Sequence, residues 1–124
     1  MKELRCIMFN DREVASAIVE RRRRMKEPLP PGTVEKMTFE NGPNGTATTL
    51  ILIADDGVKH EIRLGDAEVA SALVAFCLGR RVPLPVDAEK FLQVVNDHLA
   101  LMIRVNFNQA KKKAAAGASG RINA

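Results

Sequence analysis

The spacing of apolar and polar positions changes several times along the chain, and each change predicts an element. Leu4 to Phe9 and Lys59 to Leu64 read as short strands. After the first, Asn10 or Asp11 can accept hydrogen bonds from the orphan amides of a helical turn, and Glu13 sits favourably near its positive end. Val14, Ala17 and Ile18 then form one apolar stripe at helical spacing. Gly65, Asp66 and Glu68 repeat the start, and Val69, Ala72, Leu73, Phe76 and Cys77 make a longer stripe. Both helices must stop before Pro28 and Pro83, because proline lacks the amide and disfavours helix in the residue before it.

These two stretches are copies of one another. Glu13 to Val19 recurs as Glu68 to Val74, and Pro28-Leu29-Pro30 recurs as Pro83-Leu84-Pro85 at the same offset of 55. Ile7 to Pro30 matches Ile62 to Pro85 at eleven of 24 positions without a gap, where average residue usage gives about one or two. The expectation is an internal duplication of a strand-helix-PLP unit, pseudo-repeats 7–30 and 62–85, with Leu29 and Leu84 plugging the core.

Beyond the connectors the copies are expected to diverge. Val34 to Glu40, Thr46 to Ala54 and Lys59 to Leu64 alternate with the turn sequences Asn41 to Gly45 and Asp55 to Gly57, which predicts an antiparallel meander. Leu50 to Ile53 is apolar on both faces and so belongs in the centre. From about Asp87 the spacing of Gln93, Asp97, Ala100, Arg104 and Asn108 makes one narrow non-apolar stripe, which predicts a long helix in place of a strand at Leu99 to Phe107. The fold expected is α+β, in the order β-α-β-β-β-α-α, an antiparallel meander packed by helices. Residues 1–110 make a single domain, followed by a basic flexible tail at 111–124.

Charge adds a second layer. The formal net charge of +4 divides as eight basic against five acidic residues in 1–27, seven against ten in 28–110, and four against none in 111–124. The folded middle is therefore mildly acidic, and the basic groups gather in Arg21 to Arg24 with Lys26, in Arg80 and Arg81, and in the tail. Four successive helical residues turn through about 300°, so the arginines cannot share a face. Two readings follow: helix-end and salt-bridge roles with Glu20, Glu27 and other acids, or an anion-binding surface for nucleic acid made of Arg21, Arg22, Arg23, Arg24, Lys26, Arg80 and Arg81. Trp and Tyr are absent and aromatic residues make up 4%, which disfavours single-strand recognition by base stacking.

Helix, three antiparallel strands and helix, from Asp11 to Leu78, is also the element order of a double-stranded-RNA-binding domain. That family opens its final helix with lysines that meet phosphates. Here the helix opens with Gly65-Asp66-Ala67-Glu68, which would repel them, so no membership follows from the order alone.

Signals for catalysis are missing. His60 and His98 are single histidines, and Cys6 and Cys77 have no zinc-type spacing, so both cysteines read as buried and inert. Ser16 and Ser71 read as small residues that let a helix approach the sheet. No glycine-rich phosphate loop or calcium loop is present, and no metal or cofactor is expected. No apolar run reaches the roughly 20 residues that span a bilayer, and Met1 to Arg5 lacks the apolar stretch of a secretory signal. A cytoplasmic protein without a membrane segment is the expectation. The apolar surface of the last segment, Leu99, Met102 and Ile103 above all, predicts self-association. The leading functional expectation is a small non-catalytic, homo-oligomeric interaction or regulatory protein. A nucleic-acid-binding protein using the arginine clusters and basic tail is the alternative, and a small-molecule enzyme or ligand-binding protein comes third.

Overall fold

The computed structural model describes residues 1–106, so the tail expected at 111–124 lies outside the described residues. Eight elements follow one another: β1 (Lys2–Phe9), α1 (Asp11–Arg24), β2 (Gly32–Gly42), β3 (Gly45–Ala54), β4 (Lys59–Leu64), α2 (Asp66–Gly79), β5 (Glu89–Val95) and β6 (His98–Asn106). The fold is α+β, two helices with two three-stranded antiparallel sheets.

Local chemistry explains where the helices begin and end. Asn10 closes a capping box on α1: its side chain accepts from the Glu13 amide at 2.8 Å, and its own amide donates to Glu13 Oε1 at 2.9 Å. α2 starts at Gly65 with no side-chain cap, but Asp66 and Glu68 favour its positive end. Both helices stop in the same way. Lys26 and Arg81 each take a φ of 60°, and the amides of Glu27 and Val82 turn back to the carbonyls of Arg22 and Cys77, both at 2.9 Å.

The expected meander is present as sheet II, in the order β2-β3-β4 with β3 central. The second sheet was not foreseen. Sheet I has the order β1-β6-β5, because the segment after Asp87 is a hairpin and not the expected long helix. Asn96 and Asp97 both adopt positive φ, 50° and 65°, and so form the tight two-residue turn that matches strand twist. The polar stripe that suggested a helix has a different origin. Gln93 and Ala100 face each other across the hairpin, with Arg104 further along the same face. Leu99, Leu101, Ile103, Val105 and Phe107 do alternate, but β6 is buried at five successive positions, Leu99 to Ile103, so the intervening Ala100 and Met102 are not polar and the strand signal is weak.

The order β-α-β-β therefore occurs twice, as β1-α1-β2-β3 and β4-α2-β5-β6. The halves are interlocked. Sheet I joins β1 of the first half to the hairpin of the second, and sheet II joins β4 of the second half to the hairpin of the first. α1 packs on α2, and one core unites both sheets through Phe9, Ile18, Leu50, Leu64, Leu73, Leu101 and Ile103. Leu29 and Leu84 of the two PLP connectors pack against that core as expected.

Candidate interaction surfaces

Two arginines of the basic clusters act within the fold. Arg22 Nε lies 2.6 Å from Glu68 Oε2 and its Nη2 3.3 Å from Oε1, a two-point pair that ties the end of α1 to the start of α2. Arg80 Nη2 reaches Glu20 at 3.3 Å, and its guanidinium stacks 3.4 Å from the centre of the Phe76 ring. Arg80 thus meets α1 through Glu20, but each of these two cations is already matched by a carboxylate. Arg21, Arg23, Arg24, Lys26 and Arg81 make no ion pair among the described residues. Arg21 shares a shallow depression of about 200 Å³ with Arg22, Met25, Glu27 and Glu68, and the two carboxylates there weaken its attraction for anions.

By strand alternation, Leu4, Cys6 and Met8 share the face of Met102 and Ala100, opposite the core face of Leu99, Leu101 and Ile103. Cross-strand register sets Cys6, Met102 and Phe91 in one row and Leu4, Arg104 and Glu89 in the next. Leu4 is 59% exposed and Met8 47%. Arg104 borders this apolar patch, paired with Glu89 at 3.0 Å and 5.0 Å from the centre of the Phe91 ring. Of the three residues singled out for self-association, Met102 lies on this outer face; Leu99 and Ile103 are fully buried in the chain's own core.

A third surface lies between α1 and β2. Arg12, Ala15, Ser16 and Val19 from α1 face Thr33 to Met37 of β2 across a groove of about 480 Å³. It shares Ala15, Val19 and Val34 with a deeper cavity of about 290 Å³, which is closed at one end by Pro28 to Pro31, floored by Leu50 and Leu52, and bordered by Arg23. Gly32 makes this geometry possible: a Cβ there would stand 2.2 Å from the Ile53 carbonyl oxygen, so any larger residue would push β2 off β3.

Cys77 is buried as expected, and burial pushes its thiol up, with Arg80 opposing and Glu13 adding to the shift. Cys6 corrects the expectation, being exposed because β1 is an edge strand with an open outer face. His60 is half-buried in β4 and His98 is exposed at the start of β6. Among the described residues no group of three or more His, Cys, Asp or Glu could hold a metal ion, and no helix is long and apolar enough to cross a membrane.

Two features escaped the sequence reading although both leave a mark in it. Leu4, Cys6 and Met8 alternate with Arg5, Ile7 and Phe9, so β1 is apolar on both faces. Arg12, Ala15, Ser16, Val19 and Arg23 follow helical spacing on α1 beside the core stripe of Val14, Ala17 and Ile18. No known protein family model matches the chain, and neither a curated protein nor a solved structure resembles it significantly.

Proposed function

We propose that the chain is a non-catalytic interaction protein that self-associates through the outer face of sheet I. The observation that carries this reading is the cluster of Leu4, Cys6 and Met8 beside Met102 and Phe91, with Leu4 and Met8 about half exposed. A contiguous apolar patch of this kind is normally covered in a folded protein. Its border carries both signs of charge, Lys2 and Arg104 with Glu3 and Glu89, so two copies related by a two-fold axis can set acid against base. Light scattering at micromolar concentration tests it. A mass near twice 13.6 kDa is expected, and Met102→Glu should dissociate the assembly; a monomer for the wild type removes the proposal. The two free cysteines fit a reducing compartment such as the cytoplasm.

Tandem duplication of a β-α-β-β unit is part of the same proposal. Its support is the matching helix bounds and cap bonds at an offset of 55 and the matching buried positions of the hairpins. Met37, Thr48, Leu50 and Leu52 are buried in one, and Leu92, Leu99, Leu101 and Ile103 in the other. On this reading the second hairpin is the same element shortened at its tip.

Nucleic-acid binding is the second reading, supported by the five cations that lack an ion pair among the described residues. Binding through them should fall steeply with salt, and replacing Arg21, Arg23, Arg24 and Arg81 with alanine should flatten that dependence. No binding to duplex or single-stranded nucleic acid at low salt removes this reading.

A further inference from the structure

We propose that the trough between α1 and β2 binds an extended acidic peptide as an added strand, with one aliphatic side chain seated in the deeper cavity. The inference rests on the reading of the chain as an interaction protein but uses a surface apart from sheet I. Among the described residues β2 is an edge strand with a ladder to β3 alone, and β5 comes close to it without pairing, so its other edge presents backbone groups with no ladder partner there. Thr33 to Met37 line the groove as five consecutive residues. The register of β2 on β3 shifts between Val34 and Lys36, with Glu35 at the irregularity, but Val34 and Met37 lie opposite the buried Leu52 and Leu50, and Thr33 and Lys36 opposite the outer Ile53 and Ile51; lining by residues of both faces means that the groove runs along the open edge.

The helix wall supplies the side-chain preference. Ala15, Ser16 and Val19 form a small, mostly apolar middle, and Arg12 and Arg23 stand at its ends. Neither arginine makes an ion pair among the described residues, nor does Lys36 on the β2 side. Glu35 is matched by Lys59 at 3.3 Å, which leaves Asp11 to offset part of the charge at the Arg12 end. Arg23 is therefore the stronger cation.

Spacing makes the preference specific. Eleven residues of helix separate Arg12 from Arg23, a rise of about 16 Å. An extended chain advances about 3.3 Å per residue and turns every second side chain to the same face. Acid, any residue, aliphatic, any residue, acid places two carboxylates about 13 Å apart with the apolar group between them, and the arginine side chains span the rest. Strand addition at a sheet edge gives such a peptide backbone affinity, and the cavity and cations give it selectivity.

The test is fluorescence polarisation at low salt with the full chain and a labelled Ser-Glu-Thr-Leu-Thr-Glu-Ser peptide. Binding is expected, and it should weaken about tenfold or more with Arg23→Glu or when the peptide's leucine becomes serine. Two N-methylated peptides, each blocked at alternate amides, report on strand pairing without altering the protein. One set should abolish binding and the other should leave it, since alternate amides point to opposite edges. No binding at millimolar peptide, equal effects of the two sets, or displacement by a tighter-binding single-stranded oligonucleotide overturns the proposal. Light scattering on the same sample keeps the two readings apart: a dimer that ignores the peptide refutes only the trough, and a peptide-binding monomer refutes only the sheet I interface.

Discussion

Sheets I and II have similar inner faces and opposite outer ones. Leu101 and Ile103 at the centre of sheet I and Leu50 and Leu52 at the centre of sheet II are all buried. On the outside, sheet II sets Lys36, Ile51 and Glu61 in one row and Thr38, Thr49 and Arg63 in another, with ion pairs of Lys59 to Glu35 and Arg63 to Glu61. Sheet I also carries one ion pair, Arg104 to Glu89, and an exposed Gln93, but Leu4, Cys6, Met8, Met102 and Phe91 occupy most of its outer face. Folding explains the inner faces of both. On the reading proposed above, the contrast sets the partner-binding side at sheet I.

Deleting core methyl groups should treat the sheets alike, and this is the largest effect expected. Leu101→Ala and Leu50→Ala should each cost about 2–5 kcal/mol, measured by urea unfolding of matched samples. A cost confined to one of them would break the equivalence of the inner faces. Outward substitutions should separate the sheets: Met102→Glu is expected to lower the mass in solution, because it would place an unpaired charge in a buried contact. Thr49→Glu, beside Arg63 on sheet II, should leave the mass unchanged.

A smaller effect concerns one position where the inner faces differ. The Thr48 hydroxyl is buried without a hydrogen-bond partner among the described residues, and Leu99 is likewise fully buried in the central strand of sheet I. Thr48→Val should stabilise the fold by about 1 kcal/mol, seen as a higher urea midpoint. Thiol labelling gives the mildest test. Cys6 should react readily in dilute protein and more slowly as concentration rises and the sheet I face is covered. Cys77 should stay unreactive at neutral pH. Its raised thiol value means that the folded chain keeps a proton which the unfolded chain releases first. That contribution to stability is present below the ordinary thiol range and is lost as pH rises through it.

Much of the fold was legible where local chemistry fixes it. Asn10 and Glu13, the PLP connectors and the glycine turns at Gly45 and Gly57 place β1 to α2 within a few residues. The last hairpin was not: Leu99, Leu101, Ile103 and Val105 alternate, but Ala100 and Met102 between them are apolar too, so the helical spacing of Gln93, Asp97, Ala100 and Arg104 outweighed that signal, and Asn96-Asp97 is a turn without glycine. Arg22 illustrates the middle case. At the repeat offset of 55 Arg22 stands where the second copy has Cys77, and Glu68 is the repeat of Glu13, but only the packing of α1 on α2 joins Arg22 to Glu68. The trough was illegible for the same reason, since it is a space between elements whose pairing depends on contacts far apart in sequence.

The interlocked halves also bear on how the chain acquires its structure during synthesis. Among the described strands β1 is made before the others, and its Lys2 pairs with Asn106, at the far end of β6. Until β6 exists, Ile7 and Phe9 have no sheet to complete, whereas sheet II can close as soon as Leu64 is made. Long-range pairing of this kind is slow because loop-closure entropy must be overcome first. The nascent chain therefore carries β1 unpaired until β6 has been made, and sheet I is the part of the molecule most in need of protection from aggregation during that interval.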